Sequence, residues 1–138
     1  MFLKYNLFTL IWAGVIFLLI LMPGSQMPET GDIFSFDKIA HLGVFCILCF
    51  FMLIGFTKQY SFLKVKQSSI KFSLIISGAY ASILELGQAL VPDRYANFYD
   101  LAFNLIGVLF GYILFLLIYK FSFVWDQFNY ICIFVIRV

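Results

Sequence analysis

Charge is what this chain has least of. Asp, Glu, Lys and Arg make up 12% of its 138 residues, against 64% hydrophobic residues. An ordinary soluble domain is about 25% charged and about 45–50% apolar. A chain this short could not hide so much apolar surface in a soluble fold. The net charge of +2 is small, and no basic stripe accompanies the Phe and Tyr residues, so a nucleic-acid partner is excluded. Cysteine is also scarce, with three residues, and no disulfide framework is expected. Cys46 and Cys49 form a C-x-x-C in mid-span, with no basic neighbour to stabilise a thiolate. They read as small apolar side chains of a helix, and Cys132 carries no signal. With a single histidine, the chain has no H-E-x-x-H and no cysteine ligand set, so neither a metal site nor a cofactor is predicted. Ser25 and Ser35 stand in no nucleophile motif.

What is present is long apolar sequence. The mean hydropathy is +1.03 and 19 residues are Phe. Four runs are long enough to cross a bilayer, at about 1.5 Å per helical residue: residues 5–22, 39–56, 70–91 and 101–119. The expected fold is all-α, an integral membrane four-helix bundle. A signal peptide is a poorer reading of the first run, which is too long and lacks a cleavage motif. The tail, residues 121–138, carries Ser122, Asp126 and Asn129 on one stripe and reads as an interfacial helix. Asp37 and Asp100 stand where N-caps of the second and fourth spans belong.

Lys and Arg counts in the connections set the orientation. The first loop carries Lys38 and the third Arg94. The second carries Lys58, Lys64, Lys66 and Lys71 and should be cytoplasmic, with both termini on its side. Loops one and three then face outward together. Asp37, His41, Glu85, Gln88, Arg94, Asp100 and Asn104 all fall at that outward end, within about 10 Å of it along their helices. Polar groups at such depth face a bundle interior or a water-filled cavity.

The cluster supports two kinds of reading. One is structural: caps, an Arg94 pair, and hydrogen bonds holding three helices together. The other is chemical. A carboxyl at Glu85, in apolar surroundings, suits general acid–base work with His41 as its partner. Arg94 could grip a phosphate or carboxylate, as on a lipid headgroup or lipid-linked precursor. Asp37, Gln88, Asp100 and Asn104 would then orient and bind. Gly107 and Gly111 form a G-x-x-x-G that lets a neighbouring helix, or a second copy of the chain, approach closely. A transporter is a third reading; it calls for a second polar layer near the cytoplasmic end, which residues 46–56 and 108–117 lack.

Three blocks carry a family likeness: D-K-I-A-H at 37–41, E-L-G-Q-A-L-V-P-D-R at 85–94, and D-L-A-F-N-L-I-G-V-L-F-G at 100–111. In this order and spacing the chain resembles the VanZ-like family across residues 37–111. The resemblance implies a small multi-pass protein of the bacterial cytoplasmic membrane. The family's named member is associated with low-level resistance to the glycopeptide teicoplanin. By position the matching residues are Asp37, Lys38, His41, Glu85, Gln88, Arg94, Asp100 and Asn104, with Gly107 and Gly111.

Overall fold

The computed structural model describes residues 2–20, 36–92 and 96–136, and the side chains of residues 2–20, 38–92 and 96–119. Five helices follow in order: α1 Phe2–Ile20, α2 Phe36–Lys58, α3 Leu63–Gln67, α4 Ser69–Gln88 and α5 Phe98–Ile136, with no strand among the described residues. Four helices are long and apolar enough to cross a membrane, within Phe2–Ile20, Lys38–Lys58, Ser69–Gln88 and Phe98–Tyr119. The expected multi-pass, all-α membrane architecture is therefore present.

α2 is the hub. It packs most extensively against α5, then against α1 and α4. Its inward face, Phe45, Leu48, Cys49 and Leu53, is fully buried and meets Ile16, Ala81, Leu84 and Val108 from the other three crossings. The outward faces stay apolar: Leu10, Ile75, Leu109 and Leu117 are exposed, as side chains bathed in hydrocarbon should be.

Two glycines decide how α5 seats on α2. A Cβ on Gly107 would meet the carbonyl oxygen of Leu42, with the carbonyl carbon at 3.0 Å. A Cβ on Gly111 would meet the carbonyl oxygen of Cys46, with the Cβ of Cys49 at 3.0 Å. Bare glycines one turn apart thus let two parallel helices touch backbone to backbone. The C-x-x-C supplies the floor of the second contact. Cys46 and Cys49 are free thiols, and small side chains are what that contact needs. A third contact ties α1 to α2, where the side chain of Asn6 and the backbone of Tyr5 press against Gly55. Trp12 reinforces it, donating its indole N–H to the carbonyl of Val44 at 2.9 Å.

Several expected boundaries move. α2 begins at Phe36, so Asp37 lies inside its first turn rather than at the cap. α4 ends at Gln88, and its apolar run to Val91 continues as a tightened turn with Ala89, Leu90 and Val91 N–H groups bonding three residues back. The lysine-rich connection is not all loop, since it contains α3. There Lys66 sits over the Tyr60 ring at 3.5 Å, and Gln59 closes the bend with two 2.8 Å bonds to the backbone of Phe62. The tail is helical. Its backbone continues α5 unbroken to Ile136, giving a helix of about 58 Å, roughly twice a bilayer core. The stripe of Ser122, Asp126 and Asn129 lies outside the residues whose side chains are described.

Candidate functional site

α4 and α5 run antiparallel and α2 runs parallel to α5, so the start of α2, the end of α4 and the start of α5 share one end of the bundle. His41, Glu85, Gln88 and Asn104 all lie there. They are 8%, 4%, 3% and 1% exposed, although each is polar. Four buried polar side chains among apolar helices must be held by partners, or each costs about 1–3 kcal/mol.

His41 and Asn104 bond directly. The Nδ1 of His41 lies 3.0 Å from Oδ1 of Asn104, joining α2 to α5. An amide oxygen accepts, so this bond takes its proton from Nδ1. Asn104 thus orients the His41 ring. Lys38, one turn earlier on α2, places its ammonium 5.8 Å from the Tyr99 ring of α5.

Glu85 reaches across the connection between α4 and α5. Its Oε1 accepts the backbone N–H of Asn97 at 2.8 Å. Asn97 in turn caps α5, its Oδ1 accepting the N–H of Tyr99 at 3.0 Å. The N-cap of α5 is thus Asn97, and Asp100 lies in the first helical turn. The expected cap at Asp100 fails because helical bonding begins three residues earlier, with Asp100 N–H bonded to the Asn97 carbonyl. In a capping box the residue at Asp100's position would bond back to the N-cap N–H. Here Glu85 has taken that N–H from another helix. The Oδ1 of Asp100 is left buried with no hydrogen-bond partner, as are Nε2 of Gln88 and Nδ2 of Asn104.

Glu85 also lines a cavity of about 290 Å³ between α4 and α5, walled by Ser82, Leu86, Asn97, Phe98 and Leu101. Leu86 and Phe98 are 70% and 80% exposed, so the cavity lies at the bundle's apolar perimeter. Glu85 stands on the wall between this groove and the buried polar group.

A chain-wide family model, VanZ/LLP1, matches residues 4–119. The chain belongs to that family. The match runs from α1 through the last crossing, whereas the resemblance seen in the sequence began only at Asp37. α1 is therefore part of the VanZ/LLP1 domain. No curated protein and no solved structure matches the chain.

Not every expected residue can be placed in this VanZ/LLP1 site. Arg94 lies outside the described residues, as does the side chain of Asp37. Among the described residues no group of three or more His, Cys, Asp or Glu could hold a metal ion. Gly107 and Gly111 serve helix packing within the chain, between α5 and α2.

The sequence reading missed a second polar layer, toward the other end of the bundle. Asn6, Thr9, Ser73 and Ser77 are all buried. Ser77 donates to the sulfur of Met52 at 3.7 Å, and Asn6 donates to the carbonyl of Phe2 at 3.0 Å. The layer was sought on α2 and α5, but it lies on α1 and α4. On α1 the signal was available: residues 6, 9, 13, 16 and 20 keep one helix face, and Asn6 and Thr9 begin it.

Proposed function

We propose that this VanZ/LLP1 protein binds a cell-envelope lipid or lipid-linked precursor at the His41 end of the bundle, which faces outward. The observation that carries the proposal is the placement of Glu85. One carboxylate lines an apolar groove at the membrane-facing perimeter and also belongs to the buried polar group of three helices. A lipid has the same two-part character: an acyl chain for the groove walls of Leu86, Phe98 and Leu101, and a polar end for the interior.

If the lipid is also modified, Glu85 and His41 are the groups that would move a proton. The Asn104 bond orients the His41 ring. Arg94, which follows α4 in the sequence, would hold an anionic group of the ligand, with Asp37 of the first turn of α2. Altered teicoplanin susceptibility would follow from sequestering or changing an envelope lipid.

A second reading is favoured by one contact. The Glu85–Asn97 bond fastens the α4–α5 connection, which is what a non-catalytic strut would do. Transport has less support. The second polar layer it calls for exists, but Phe45, Leu48, Ala81 and Leu84 fill the section between the two layers.

The test is photolabelling. A phospholipid carrying a diazirine on its acyl chain is incorporated into nanodiscs with the purified protein and activated, and the labelled peptides are mapped. Labelling should concentrate on residues 82–101, above the level at Leu10 and Ile11 on the lipid-facing side of α1. Equal labelling of the two regions would remove the groove as a lipid site.

A further inference from the structure

Gln88, Asp100 and Asn104 each hold one unmatched atom, and these atoms are of two kinds. Nε2 of Gln88 and Nδ2 of Asn104 are donors, whereas Oδ1 of Asp100 is an acceptor; each is buried without a hydrogen-bond partner. Gln88 closes α4. Asp100 and Asn104 are four apart on α5 and share a face. Asn104 is already fixed by His41, which presents its amide in one orientation. All three belong to the end of the bundle where the Glu85 groove lies.

This pattern selects among ligand chemistries. A bare phosphate offers acceptors alone; it would match the two amides and set acceptor against acceptor at Asp100. An ammonium offers donors alone and would match Asp100 but neither amide. A hydroxyl both accepts and donates, so a pair of hydroxyls satisfies all three atoms. Such a site also rejects analogues lacking the hydroxyls, because its own buried groups are then left unpaired.

We infer that Gln88, Asp100 and Asn104 recognise the hydroxyl groups of a lipid headgroup, either a sugar or a glycerol, beside the acyl groove lined by Glu85. The inference rests on the lipid-binding reading and adds what the headgroup must contain. A phosphate elsewhere on the same lipid is compatible with it.

The experiment varies hydroxyls and charge separately. The purified protein is placed in dioleoylphosphatidylcholine nanodiscs doped with one of three lipids of the same acyl chains. Phosphatidylglycerol carries a phosphodiester and two hydroxyls. Phosphatidylethanol carries the phosphodiester alone. Glucosyldiacylglycerol carries hydroxyls without charge. Lipids retained after gentle detergent release are counted by native mass spectrometry. Phosphatidylglycerol or glucosyldiacylglycerol should be retained about tenfold over phosphatidylethanol, and whichever is stronger identifies glycerol or sugar as the source. The preference should fall to near parity in Gln88→Leu and persist in Ser69→Ala, whose hydroxyl meets Thr57 at 3.2 Å at the other end of the bundle. Equal retention of phosphatidylglycerol and phosphatidylethanol, both above phosphatidylcholine, would overturn the headgroup inference and leave lipid binding standing. No lipid above phosphatidylcholine would remove both. A hydroxyl preference untouched by Gln88→Leu would overturn the assignment to these residues.

Discussion

Gly107→Ala should loosen the bundle. The added Cβ falls on the carbonyl oxygen of Leu42, in the backbone of a helix that packs on four others. Backbone cannot turn aside as a side chain can. The expected loss is about 1–3 kcal/mol, read as a lowered midpoint in thermal unfolding of the detergent-solubilised protein. Gly111→Ala should behave alike, since Cys46 and Cys49 occupy its space. Gly87→Ala is the control. Nothing lies within 4 Å of its added Cβ, and alanine favours a helix over glycine by about 0.5–1 kcal/mol. It should be neutral or slightly stabilising. A Gly107→Ala protein as stable as Gly87→Ala would mean that α5 does not sit on α2 in this way.

Glu85→Leu should carry the second large effect. Leucine has no acceptor for the N–H of Asn97, so a buried donor at the start of α5 loses its partner. Leaving such a group unsatisfied costs about 1–3 kcal/mol. Glu85→Gln keeps an acceptor oxygen at nearly the same place and should retain most of the stability. The two variants therefore separate the roles of the side chain. If Glu85 handles a proton, Glu85→Gln folds normally and loses the proposed effect on teicoplanin susceptibility. If Glu85 is a strut, Glu85→Gln keeps the effect and Glu85→Leu abolishes it. Thermal unfolding measured beside susceptibility, in the same pair, distinguishes these outcomes.

The number of crossings and the end that collects the polar residues were both legible in the sequence. Each rests on one-dimensional information: the length of apolar runs, and the position of Asp37, His41, Glu85, Gln88 and Asn104 relative to the turns. Partners were less legible. That Gly107 and Gly111 would admit a helix followed from their spacing, but the choice of α2 depends on how four crossings arrange themselves. Hydropathy also hides neutral polar residues in apolar runs. Asn6 and Thr9 sit among Phe, Leu and Ile, so α1 reads as a plain anchor until its buried face is traced. The cap of α5 shifted from Asp100 to Asn97 for a related reason. Both residues are good N-caps by type, and the choice turns on Glu85, which reaches Asn97 from the preceding helix.

The account stands on hydrophilic side chains from separate crossings meeting in one place, and the His41–Asn104 contact is its sharpest instance. A double-mutant cycle tests it directly. His41→Leu, Asn104→Leu and the double variant are unfolded in matched micelles, and the coupling energy is taken from the three differences. Contact at 3.0 Å between α2 and α5 predicts a coupling of about 0.6–2 kcal/mol. Effects that add to within about 0.3–0.5 kcal/mol, the behaviour of residues that do not touch, would contradict it.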